Sequence, residues 1–126
     1  MKILSLYAAL LAIVYVALTV RTAKLRHQLK ISVGDGSNKM LLRAIRAHAN
    51  FSEYVPVCLI LILLVEMQGA AKWVVHVLAA SLLIGRIVHA YGVSRMRENL
   101  AFRVVGMVLT ITALLWSAAY LIWVAL

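Results

Sequence analysis

The sequence predicts an all-α integral membrane protein: one domain, built as a bundle of four spanning helices. Three observations predict it. Hydrophobic residues fill 65% of the 126 positions and mean hydropathy is +0.99, against roughly 45–50% apolar residues in soluble domains. Charged residues are 13% of the chain, where roughly 25% is usual. Four apolar runs approach the roughly 20 residues that cross a hydrocarbon core. No internal repeat, low-complexity tract or long linker interrupts them.

The first helix is expected at about 3–30. Residues 3–20 carry no charge. Met1-Lys2 before them imitates the start of a signal peptide, but the core exceeds a typical h-region and no A-x-A-like cleavage site follows. The helix should continue past the membrane through Arg21, Lys24 and Arg26. Gly34-Asp35-Gly36 then breaks it, since glycine adopts turn conformations closed to other residues. The GDGS run lacks the spacing of a phosphate-binding loop and reads as a turn. Ser37 or Asn38 should cap the second helix, expected at 38–67. At 1.5 Å per residue these ~30 residues span roughly 45 Å, more than a hydrocarbon core of about 30 Å, so the first turns must protrude. Pro56 takes the usual partner from the Ser52 carbonyl, which predicts a kink or a bound group there. Gln68-Gly69-Ala70 should make a tight outer turn. The third helix is expected at 73–92, a short loop at 94–99 and the fourth helix at 101–126. Tyr7, Trp73, Tyr120 and Trp123 suit the aromatic belts at the membrane surfaces.

A net charge of +9 could point to nucleic acid, but its distribution points to a membrane. Arg21, Lys24, Arg26, Lys30, Lys39, Arg43 and Arg46 lie around the first long connection; Arg86, Arg95, Arg97 and Arg103 lie around the third. Only Lys2 and Lys72 of the 13 Lys and Arg belong to the other side. By the positive-inside rule both polar connections face the cytoplasm and both termini lie outside. The basic loops should attract anionic headgroups of the bilayer. Cys58, the single cysteine, sits inside an apolar run and reads as a packing residue. His27, His48, His76 and His89 have no Cys or carboxylate at ligand spacing, so no metal is expected.

The chemistry-bearing residues cluster at one depth. On the second helix Arg46, Asn50 and Glu53 fall within about 60° of one another, with Arg43 beside them. His48 points the opposite way and should face a different neighbour. On the third helix Arg86 and His89 share a face at i, i+3, and Arg103 opens the fourth. All lie toward the inner ends of their helices. Charges near helix ends can snorkel to water, which accounts for one or two such residues. A carboxylate, an amide, an imidazole and several guanidinium groups at one level fit a polar pocket. The cations outnumber Glu53, so an anionic ligand with two or more carboxylates suits the arginine forks, and Glu53 suits an ammonium on the same ligand. Small peptides such as glutathione carry both.

R-x-x-R-A-H-x-N-x-x-E-Y-x-P (43–56), G-R-x-x-H-A-Y-G (85–92) and F-R-x-x-G (102–106) together resemble the second, third and fourth helices of the MAPEG family, the membrane-associated proteins in eicosanoid and glutathione metabolism. The likeness spans essentially the whole chain, and the turns look closest to a bacterial branch. It implies a homotrimer of four-helix bundles, with glutathione as co-substrate held between neighbouring subunits on the cytoplasmic side. Arg46, Asn50, Glu53 and Tyr54 match glutathione-contacting positions, Glu53 taking the γ-glutamyl amine. His48 matches a position facing the adjacent subunit. Lys24, with Arg26 second, would meet a carboxylate. His89 matches a polar position of the third helix, and Arg103 the arginine implicated in thiol activation. The implied activity is that of a glutathione transferase or peroxidase acting on a lipophilic electrophile. Family enzymes often carry tyrosines where this chain has Val93 and Met107; Tyr91 is the candidate to compensate. A non-catalytic scaffold or a lipid- or thiol-binding protein is the alternative. A small four-helix transporter fits less well, because it needs an ionisable residue within its first helix, and Glu66 lies at the outer turn instead.

Reporter fusions test the charge-derived topology. A reporter after Leu126 should read periplasmic and one inserted at 32–38 cytoplasmic; the reverse pattern would overturn the orientation.

Overall fold

The structure is a computed structural model in which residues 2–97 and 99–126 are described. Four helices make it up: α1 Lys2–Leu29, α2 Lys39–Met67, α3 Lys72–Ser94 and α4 Leu100–Ala125. Each is long and apolar enough to cross a membrane. α3 runs two residues past its expected end at 92, shortening the following loop; Glu98 of that loop lies outside the described residues.

Local chemistry sets the helix starts. Asn38, not Ser37, caps α2: its Oδ1 accepts from the backbone N–H of Met40 and of Leu41, both at 3.0 Å. Ser37 instead takes a left-handed φ of 58° inside the turn. Asn99 caps α4 in the same way, accepting from the N–H of Ala101 at 3.0 Å. Such caps satisfy amides that have no partner within the helix. The connection between α1 and α2 folds back on Arg26. Its guanidinium donates to the carbonyls of Ile31, Ser32 and Gly34, the last at 2.8 Å. α2 continues unbroken with Pro56 inside it.

α1 packs on α2 and α3, α2 also on α3 and α4, and α3 on α4. Among the described residues α1 and α4 make no contact, so α2 and α3 form the middle of the bundle. The polarity is inverted relative to a soluble protein. Ile13, Val57, Val77, Val108, Leu115 and Trp116 are exposed, while Arg86, His89, Thr110 and Ser117 are buried. Water would penalise so continuous an apolar surface, whereas lipid tails do not. Inside, the interfaces then rely on close packing of small residues and on internal hydrogen bonds. Cys58 is fully buried among Ile62, Val65, Val75 and Leu82, as a packing residue would be.

The tightest seam joins α3 and α4. A Cβ on Gly106 would stand 2.6 Å from the Gly85 carbonyl oxygen and 2.6 Å from the His89 backbone nitrogen. A Cβ on Gly85 would stand 2.9 Å from the Gly106 carbonyl oxygen. The two backbones are therefore in mutual contact at a point where only glycine fits. Ser81 stitches the seam further out, donating to the Leu109 carbonyl at 3.0 Å. This contact sets the height and rotation of α4, and with them the position of Arg103, one turn before Gly106.

Gly106→Ala should force the two helices apart and destabilise the fold by about 1–3 kcal/mol, the usual cost of overpacking. Thermal unfolding in detergent checks it. An unchanged midpoint would show that the backbone contact does not hold the seam.

Candidate functional site

The polar stripe of α2 opens onto a cleft of about 270 Å³ at the end of the bundle where α2 and α4 begin, lined by Lys39, Leu42, Arg43, Arg46, Asn50, His89, Val93 and Arg103. Three helices supply it. α2 contributes the stripe at i, i+3, i+4 spacing. α3 contributes His89 and Val93, one turn apart. α4 contributes Arg103 from its first turn. Four cationic side chains line the cleft, and none of its described lining residues is a carboxylate. Such a cleft favours an anion and carries N–H donors to hold it.

Arg86 does not line the cleft. It lies behind it, 1% exposed, and links the three helices. Nε donates to Thr110 Oγ1 at 2.9 Å and Nη1 to Asn50 Oδ1 at 2.6 Å. Nη2 reaches the Met107 sulfur at 3.2 Å and the Gly106 carbonyl at 3.5 Å. The Tyr54 ring lies 5.6 Å from the guanidinium carbon, within cation–π range. Thr110 also donates back to the Gly106 carbonyl at 2.9 Å. All these partners are uncharged. Sequence spacing puts Arg86 and His89 on one face of α3, yet only His89 reaches the cleft.

The inner end of α3 forms the cleft rim and is held by arginines from two other helices. Arg21 of α1 donates to the Ser94 hydroxyl and, at 3.1 Å, to the Ser94 carbonyl. Arg43 of α2 donates to the Val93 carbonyl at 3.3 Å. The last carbonyls of a helix have no intrahelical donors and carry its negative pole, so cations are favoured there.

The remaining candidates lie elsewhere in the chain. His48 faces α1: its ring stacks on Tyr15 at 4.8 Å, and Nε2 lies 3.1 Å from Thr19 Oγ1. α1 is thus the different neighbour of the stripe's opposite side, and the divergence of the two faces is met within one chain. It supplies no separate reason for an oligomer. Lys24 is exposed on α1, in an open groove with Val16, Val20 and Met40. Arg26 is occupied by the loop carbonyls. Glu53 is exposed on the outward side of α2, as is Arg46 seven residues earlier; Arg46 also reaches the cleft, and Glu53 is outside its lining. Tyr91 faces outward, edge-on to Phe102 at 5.4 Å with the Arg95 guanidinium 4.8 Å above its ring. It does not replace a tyrosine at Val93, which does line the cleft. Thr110 escapes the sequence reading, while Arg21 and Gly106 appear there only as a loop-side cation and as part of a motif. Thr110 follows Arg103 at i+7, the one periodic signal that could have placed it beneath the site.

Comparison with known proteins gives a consistent result. The MAPEG family model matches residues 4–123. Inner membrane protein YecN of Escherichia coli strain K12 is 41% identical over 88 residues, covering 70% of this chain and 67% of that protein. The protein of the same name from Escherichia coli O6:H1 matches to the same extent. No solved structure matches.

Arg21→Met should loosen the rim of the cleft. Hydrogen exchange is expected to accelerate at 91–94 and stay unchanged over the first turns of α3. Equal protection at 91–94 would remove Arg21 from the support of the site.

Proposed function

The chain belongs to the MAPEG family, and from that premise we propose that it is a multi-pass inner-membrane protein that binds glutathione at the cytoplasmic side and activates its thiol. The supporting observation is the cleft itself: Arg43, Arg46, Asn50, His89 and Arg103 converge in a donor-rich space with no carboxylate among its described lining residues.

The thiol chemistry follows from the charge. A cysteine thiol with pKa of about 8.5 is only a few per cent thiolate at neutral pH. Fixed guanidinium groups, partly shielded from water, favour the thiolate. The proton leaves to water through the cleft mouth. The sulfur lone pair then attacks the electrophilic atom of a lipophilic substrate arriving from the bilayer, forming the new bond to sulfur. Either a leaving group departs with the bonding electrons, or the acceptor takes up a proton. No protein nucleophile is required. In this reading Arg103, at the inner end of α4, acts on the sulfur and Arg46 holds a carboxylate.

Depth supports a site shared between copies in a homotrimer. Glu53 is fourteen residues before Met67, about 21 Å from the outer end of α2, which leaves it some 9 Å within a core of about 30 Å. An exposed carboxylate there meets lipid in a lone chain, at high cost. A neighbouring subunit over the outward face of α2 removes that cost, and the ligand's ammonium pairs with Glu53. Lys24, outside the lining of its own chain's cleft, is then available to a neighbour's. With Val93 and Met107 where family enzymes often carry tyrosines, binding of glutathione without turnover is the second reading.

Calorimetric titration of the purified protein with glutathione, followed by a generic electrophile assay, separates these readings. Glu53→Gln should weaken binding roughly tenfold to a hundredfold, the loss of one charge-assisted bond. Arg103→Leu should leave binding within about threefold and lower turnover, with partial recovery in Arg103→Lys, which keeps charge without the planar fork. Binding with no turnover in the wild type supports the second reading. No binding removes both.

A further inference from the structure

The contact between Arg86 and Asn50 decides which end of the Asn50 amide faces the cleft. A guanidinium has five N–H donors and no acceptor. The amide atom 2.6 Å from Arg86 Nη1 is therefore the oxygen by chemical necessity. The nitrogen, with two donors and no acceptor among the described residues, is the end left for the cleft that Asn50 lines. We propose that Arg86 is a positioning residue: it locks the Asn50 amide so that Nδ2 is presented to the cleft as a donor, which makes this wall of the site selective for an anionic group of the ligand. This deepens the proposed thiol-peptide site and rests on it for the identity of that group, the thiolate or an adjacent carboxylate.

Three features of the structure support the assignment. Arg86 is itself fixed, since Thr110, Gly106 and Met107 hold its other nitrogens and Tyr54 covers its face. An amide facing this guanidinium cannot turn over without setting donor against donor. Every other nitrogen-bearing side chain of α2 and α4 in the lining, Lys39, Arg43, Arg46 and Arg103, is cationic and can only donate. A flipped Asn50 would put a lone acceptor among them, against any anion.

The test uses the full protein in nanodiscs with three probes: glutathione, glutathione sulfonate and inorganic sulfate. In asparagine-15N-labelled wild type, the side-chain NH₂ signal of Asn50, assigned by its loss in Asn50→Asp, should move on adding the sulfonate, while those of Asn38 and Asn99 stay. Calorimetry on a double-mutant cycle isolates the positioning role. Arg86→Met and Asn50→Ala should each weaken sulfonate binding about tenfold or more, the size of one hydrogen bond to an ionised acceptor. Arg86→Met added to Asn50→Ala should cause no further loss, and Arg86→Lys should recover much of the affinity. Equal losses from Arg86→Met in both backgrounds would make Arg86 a direct electrostatic partner and overturn the proposal. If Arg86→Met does not fold, an unmoved Asn50 signal in wild type overturns it alone. A signal moved by the sulfonate or sulfate but not by glutathione keeps the donor wall and removes the thiol reading; a signal moved by none overturns the donor wall, and calorimetric binding of glutathione then decides the thiol reading separately.

Discussion

A guanidinium buried within a membrane bundle, with only neutral groups to hold it, is the constraint on which the site depends. Arg86 spends its donors on Asn50 of α2 and on Thr110, Gly106 and Met107 of α4, while Tyr54 lies over it. Removing such a group from water is expensive, and its partners must all be in place at once. Helix rotation, helix depth and the orientation of one amide are thereby coupled. The same burial that organises the helices thus also fixes the amide that Asn50 turns to the cleft.

Close packing makes that arrangement possible. Lipid tails are as apolar as the core, so burying Leu or Ile gives the helices little reason to associate. The backbone contact of Gly85 with Gly106 brings α4 near enough for Thr110 and the Gly106 carbonyl to reach Arg86. Arg21 and Arg43 hold the inner end of α3 from the other side. Among the described residues α1 and α4 make no contact, and α1 contributes through Arg21, the Tyr15–His48 stack and the Thr19 contact. The bundle thus leaves one face of α2 uncovered, and that face carries Arg46 and Glu53.

Much of this is legible in the sequence because membranes simplify it. Uncharged runs of sufficient length must be helices, since no other open structure satisfies its backbone in lipid. The i, i+4, i+7 spacing of Arg46, Asn50 and Glu53 puts them on one stripe with Arg43 beside it; Arg43, Arg46 and Asn50 line the cleft and Glu53 does not. What spacing cannot supply is the rotation of one helix against another. Arg86 and His89 share a face of α3, yet a small turn of that helix sends one behind the cleft and the other into it. The resemblance makes Arg26, after Lys24, a candidate partner for a carboxylate; a loop with left-handed residues at Lys30, Gly34, Gly36 and Ser37 brings carbonyls to it instead. Thr110 has no signal of its own until Arg86 is known to need an acceptor.

The central claim is that the cleft stabilises glutathione as its thiolate. The most direct measurement is the ultraviolet thiolate absorbance recorded while glutathione is titrated into the protein at neutral pH, beside calorimetry on the same samples. The account predicts a thiolate signal that rises with occupancy and saturates with it. Saturable binding with no thiolate absorbance would contradict it.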